Sequence, residues 1–219
     1  MFGYEQFSQQ PILFILAVLS AIFTIGYFWG KRDNKNLFQT IFNELIDVLK
    51  PEDQEFGNIG GTSEYYADFK FRKDSPLTHV DAKVTLLPRH LLPYLPIAIL
   101  RDKYDKLLIA LHMKRKPGEG GHLIEVKYAK SRMAKTTNAD QLDKGTVKWG
   151  KYDFRIYCKS AKTRDMFKEF IAKHRDPGGI RHIEFVPGKK KCFIFMIPQK
   201  GQVAKDLTPV YQWILSLIE

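Results

Sequence analysis

The sequence predicts an α+β fold: a mixed α/β sheet domain carried behind a single N-terminal transmembrane helix. Three observations predict it. Ile12 to Trp29 is an uncharged apolar run, several later stretches alternate apolar and polar residues with the period of a strand, and between them lie stripes at helical spacing. The roughly 190 residues beyond the run can bury a substantial core, and a chain that is 44% hydrophobic and 13% aromatic is too apolar to be disordered. The expected organisation is a short extracytoplasmic leader and anchor over residues 1–30, a juxtamembrane amphipathic helix over 31–50 and a cytosolic α+β domain over 51–219.

The charge-free run extends from Gln6 to Gly30. At about 1.5 Å per residue it is long enough to cross a hydrocarbon core of roughly 30 Å. A buried core helix rarely needs so many apolar residues in a row, and a signal peptide wants a basic leader, whereas Met1 to Gln10 carries only Glu5. Lys31, Arg32 and Lys35 follow the run, so the positive-inside rule puts residues 31–219 in the cytoplasm and the N-terminus outside or in a lumen. Within the run, small residues recur four apart as Ala17 and Ala21, Ser20 and Thr24, Gly26 and Gly30. That spacing permits close helix approach, and Ala17, Ser20, Ala21 and Thr24 form the expected face for a membrane partner, with plain lipid exposure as the rival reading.

Phe38, Ile41, Phe42, Leu45 and Leu49 stripe a helix closed by Pro51, and the polar stretch after Gly30 is expected to turn it away from the span. Glu52 to Glu55 reads as a solvated loop. Tyr65, Ala67, Phe69 and Phe71 alternate as a strand, and a turn at Lys73 to Pro76 leads to a second strand from Thr78 to Leu86. Leu91 to Leu100 reads as a short apolar helix distorted by Pro93 and Pro96. Strands Leu107 to Met113 and His122 to Tyr128 follow as a hairpin with a basic, glycine-rich tip. Ser131 to Leu142 is ambiguous. Then come a strand from Tyr152 to Cys158, a helix through Met166, Phe167, Phe170 and Ile171, strands Arg181 to Val186 and Cys192 to Ile197, and a last helix with Pro209 in its first turn. Residues 78–142 and 152–218 thus both read strand, helix, strand, strand, helix, which suggests two βαββα units of split βαβ type.

The chemistry-bearing residues assemble no catalytic constellation. The six histidines show no paired metal-ligand spacing, Cys158 and Cys192 fall in apolar strand patterns as reduced core thiols, and Gly118, Gly120 and Gly121 lack the Lys-Ser/Thr of a phosphate loop. The expectation is a protein that is not an enzyme and holds no cofactor or metal. What stands out is charge. Residues 31–100 hold nine Lys plus Arg against ten Asp plus Glu, while residues 101–200 hold twenty-five against eleven. A polyanionic partner is the expectation, with mere solubility as the alternative. The candidate contacts are Lys114, Arg115 and Lys116, then Lys189, Lys190 and Lys191, with Lys130, Arg132 and Lys135 between them in sequence and Lys162, Arg164 and Lys168 on the following helix.

Gly30-Lys31, Asn34, Leu37, Gln39 and Phe42-Asn43 stand just after the span; Leu91-Leu92 with Leu95 precede a strand ending at Met113; Phe193-x-Phe195-x-x-Pro198 is followed by Lys205-Asp206. In order and spacing these residues resemble the calumin family over residues 12–219. The resemblance implies a role in membrane-protein biogenesis: an intramembrane chaperone complex with a small multispanning partner resembling Asterix, at the Sec translocon, with the cytosolic domain on ribosomal RNA of the ribosome and nascent multipass membrane proteins as clients. It implies an endoplasmic reticulum or archaeal plasma membrane. The family's acidic lumenal region and basic coiled-coil tail have no counterpart in this sequence, so lumenal calcium binding is not carried over. A membrane-tethered module for RNA or another anionic surface, unrelated to the translocon, is the competing expectation.

Overall fold

The computed structural model describes residues 11–100, 104–129 and 143–218. Among them a long helix α1 (Pro11–Leu49) is followed by β1 (Asp53–Gly60), β2 (Glu64–Lys70), β3 (Leu77–Thr85), α2 (Leu95–Leu100), β4 (Lys106–Met113), β5 (Gly121–Glu125), α3 (Val126–Ala129), β6 (Asp143–Trp149), β7 (Tyr152–Cys158), α4 (Ala161–Lys173), β8 (Ile180–Val186), β9 (Lys191–Met196) and α5 (Val203–Ser216). The nine strands form one sheet in the order β1-β2-β3-β4-β9-β8-β5-β7-β6, and each neighbouring pair is antiparallel. The α+β class expected from the sequence is the architecture observed.

The alternation that identifies the strands also decides which side is covered. Ala67 and Phe69, Val80, Ala82 and Val84, Ile109 and Leu111, Ile194 and Met196, Ile183, Leu123, Phe154 and Ile156 all turn to one face, where the second half of α1, α4 and α5 close the main core. Phe38 of α1 stacks on Tyr65 at 4.0 Å between ring centroids, and Trp213 of α5 stacks on Phe170 of α4 at 4.3 Å. Among the described residues no such layer covers the opposite face over β1 to β4, which presents Asp68, His79, Asp81, Lys83 and His112.

Five expectations are corrected. The juxtamembrane segment does not turn away, because α1 runs unbroken from Pro11 to Leu49. Gly26, Gly30, Asn34, Leu37, Ile41, Leu45 and Leu49 are buried along it at steps of three and four, so one stripe serves the whole distance and no kink is needed. Glu52 to Glu55 is not a loop but enters the edge strand β1, whose Phe56 packs against Phe42 and Phe69. Residues 114–120 are not a hairpin tip: β9 and β8 lie between β4 and β5, and the segment crosses over both. The repeated element order does not reflect a repeated unit, since β3 and β4 pair directly whereas β7 and β8 flank β5. Finally, α5 begins at Val203, which places Pro209 in its interior. The earlier start is held by Glu44 of α1, whose two carboxylate oxygens accept from the Gly201 and Ala204 N–H groups at 2.9 Å each.

Candidate nucleic-acid interface

Two ends of the sheet differ in chemistry, and α1 connects them. Its apolar first half is exposed from Pro11 to Ile25, long and uncharged enough to cross a membrane. Its second half lies along the sheet. At the near end, beside the apolar half, Gly30 is so close to the loop after β3 that a Cβ would stand 2.3 Å from the Arg89 backbone. One turn on, Asn34 is fully buried; its amide donates to the Thr62 and Leu87 carbonyls at 3.0 and 2.9 Å, and its oxygen accepts from Arg89 Nη1 at 3.0 Å. Arg89 in turn grips Asp105 with both Nη atoms at 3.0 and 2.7 Å and meets Asp33 at 3.1 Å. These contacts fix the angle at which the apolar helix leaves the domain.

At the far end, antiparallel pairing brings the turn after β2, the β4–β5 crossover and the β8–β9 turn together. The Met113 N–H donates to the Lys190 carbonyl at 2.9 Å, and the Lys114 N–H donates to the Pro76 carbonyl at 2.9 Å. Lys190 holds a left-handed φ of 52°, closing the tight turn that starts at Pro187. Lys114, Arg115, Lys116, Lys189 and Lys190 are all exposed there, joined by Arg72 and Lys73, while Lys191 is half-buried as the first residue of β9. The Lys114 ammonium donates to the Lys73 carbonyl and so stiffens the rim. Glu119 and the exposed Asp74 are counter-charges on this rim; Glu119 is tied down. The Ser160 and Thr163 hydroxyls donate to its carboxylate and hold its pKa below the usual value, and Ser160 also caps α4, so the crossover is tied to the helix that carries Lys162 and Lys168.

The structure therefore gathers the two lysine clusters on one rim. Lys162 lies at the adjoining start of α4, Lys168 is exposed farther along it and Arg164 is half-buried. Lys130, Arg132 and Lys135 fall outside the described residues. On α1, Ala17, Ser20, Ala21 and Thr24 are exposed, and the Thr24 hydroxyl donates to the Ser20 carbonyl at 2.8 Å, within the helix. Gly26 and Gly30 belong to nearly the opposite side of that helix and are taken up by the protein's own Leu92 and Arg89.

Sequence spacing missed the histidines. Register places His79 opposite His112, with rings stacked at 3.7 Å and His112 Nε2 2.8 Å from Asp81 Oδ2. It also places His122 opposite Glu184 and beside His182, where burial pushes the His182 pKa down to about 3 and raises that of Glu184. Each pair lies on different strands more than thirty residues apart, so only the sheet order reveals it. Cys158 and Cys192 are free and buried, and desolvation raises both thiols, which suits core packing rather than thiolate chemistry. No protein-family model and no curated protein matches the chain.

Proposed function

We propose that this chain is a single-pass membrane protein whose cytosolic domain presents a basic rim to ribosomal RNA, as a translocon-associated factor or intramembrane chaperone subunit in the biogenesis of multipass membrane proteins. The observation that carries the reading is the separation of the rim from the apolar helix. From Gly30 to Leu49, twenty residues of α1 rise roughly 30 Å along the sheet, so a membrane at the near end leaves the rim several Debye lengths away. Cations meant for anionic lipid belong beside the span, within a few ångströms of the headgroups. Cations held at the far tip suit a large soluble polyanion docking from the cytoplasmic side. The unbroken α1 and the Asn34–Arg89–Asp105 lock support this, because a rigid post keeps the rim at constant height and orientation over the bilayer. The resemblance to the calumin family supplies the translocon, the Asterix-like partner and the client proteins. The cations following the span supply the orientation.

The test is co-sedimentation of the full chain, held in neutral-lipid nanodiscs, with ribosomes over a range of salt. The reading expects binding that weakens steeply with salt and is not competed by anionic vesicles. Equal binding to naked RNA and to translocon-engaged ribosomes favours the simpler tethered RNA-binding module. Competition by the vesicles transfers the rim to a membrane surface.

A further inference from the structure

Leu91 to Leu100, LLPYLPIAIL, contains no charge, and the structure leaves most of it bare. Leu91, Ile97 and Ile99 are 45%, 47% and 57% exposed, and Leu100 is 85% exposed, while Ala98 alone in α2 is buried toward the protein. Soluble domains seldom display so contiguous an apolar patch. Its position identifies what meets it. Leu92 occupies the space beside Gly26, where a Cβ would lie 2.0 Å from Leu92 Cδ1, and His90 packs edge-on against Tyr27 at 5.8 Å. Gly26 is one helical turn, about 6 Å, inside the boundary marked by Gly30 and Lys31, which is the depth at which interfacial helices settle between headgroups and acyl chains.

We infer that Leu91–Leu100 enters the leaflet that α1 leaves, giving the domain a second, monotopic contact with lipid beside its span. The inference rests on α1 being a membrane span. Leu100, Ile99 and Ile97 would lie among acyl chains, with Arg89 anchored above them by Asn34 and Asp105. Two attachments, one through the bilayer and one into it, would prevent the domain from rotating about the helix axis.

The experiment uses full-length chain in phosphatidylcholine nanodiscs with an environment-sensitive fluorophore on an introduced cysteine: Leu100→Cys, Phe23→Cys within the span, or Asp74→Cys at the far turn. Quenching by doxyl-labelled lipid is expected at Leu100 and Phe23 and absent at Asp74. Quenching at Phe23 with none at Leu100 overturns the insertion and leaves the span intact. Loss of quenching at both sites overturns the span and the insertion together. A probe at Leu100 that becomes shielded only in native membranes assigns the patch to a protein partner, and the inference fails.

A separate observation points to a divalent metal site between β5 and β8, on the side of the sheet away from α4 and α5. His122, His182 and Glu184 each bring one ligand atom within 4.8 Å of the others, and His122 Nδ1 lies 3.8 Å from Glu184 Oε1. Both histidines are buried, at 5% and 9% exposure, and His182 Nε2 meets no hydrogen-bond partner among the described residues. A buried polar atom without a partner calls for a water or an ion. From this geometry the structure assigns a zinc-class ion to the trio, because two imidazoles and a carboxylate are a three-ligand set for Zn²⁺ with a fourth position open. Zn²⁺ titrated calorimetrically into chelator-treated protein in detergent should bind at one equivalent and raise the melting temperature. His182→Phe should abolish both effects while circular dichroism stays unchanged, and His79→Ala, in the more exposed cluster, should leave them intact. No stoichiometric zinc, or zinc lost with His79→Ala and kept with His182→Phe, refutes the assignment.

Discussion

Arg89 Nη1 stands 3.0 Å from Asn34 Oδ1, and through that contact the loop after β3 is fastened to the helix that leaves the domain. Asn34 has no exposed surface, so each group it satisfies is cut off from water. Asn34→Leu is expected to cost on the order of 3 kcal/mol, since it strands the Thr62 and Leu87 carbonyls as well as Arg89. Arg89→Met should cost a similar amount by leaving Asp105 half-paired. The double variant should fall well short of the sum, because both changes open the same lock. Chemical denaturation of the four proteins in one detergent measures this, and strict additivity contradicts a shared lock.

Alanine at Gly30 should destabilise even though it is the better helix former by about 1 kcal/mol. Its methyl would meet the Arg89 carbonyl backbone, which cannot yield without breaking the lock. At Gly26 the obstruction is the flexible side chain of Leu92, so Gly26→Ala should be the milder change. Melting temperatures in the order wild type, Gly26→Ala, Gly30→Ala from highest to lowest are expected. A Gly30→Ala protein as stable as wild type contradicts the close approach.

Burial pushes the Tyr211 pKa up to about 12, from the 10.0 that is usual for a tyrosine. Between those values the unfolded chain gives up the phenolic proton and the folded one keeps it, so stability is lost as pH rises. At pH 11 the loss is on the order of 1 kcal/mol. Tyr211→Phe should remove that part of the alkaline decline, seen as a smaller drop in melting temperature between pH 9 and pH 11. An unchanged drop means that Tyr211 ionises freely in the folded protein.

What was legible in the sequence follows what the sheet buries. β2, β3 and β7 have one face in the main core, and their alternation shows it, while β9 reads as apolar on both faces because Phe195 packs in a second, smaller cluster with Ile124, Tyr128 and Tyr157. The two strands that went unread, β1 and β6, are the two edges of the sheet. An edge strand packs against a single neighbour, and β1 is exposed along nearly its whole length with Gly57 and Gly60 within it, so no strong period is imposed. The buried stripe of α1 was readable, but its continuity was not. A glycine before a polar insert looks like a break until the loop that needs the missing Cβ is seen. The basic clusters were visible as runs of charge, whereas their meeting on one rim depends on a strand order that periodicity does not encode. The same holds for the histidine pairs.

A polyanion at the far rim with the membrane at the near end is tested most directly on the exposed lysines of the rim. Lys116, Lys189 and Lys190 are exposed, whereas the Lys114 ammonium braces the Lys73 carbonyl and Lys191 is half-buried in β9, so those two are left alone. The measurement is salt-dependent co-sedimentation with ribosomes of wild type and of Lys116→Glu, Lys189→Glu, Lys190→Glu combined, each in neutral-lipid nanodiscs. The variant should keep the wild-type circular dichroism and melting temperature, bind at least about tenfold more weakly, and show a log–log salt slope shallower by roughly 2. A folded variant that sediments with ribosomes as wild type does at every salt concentration contradicts the account.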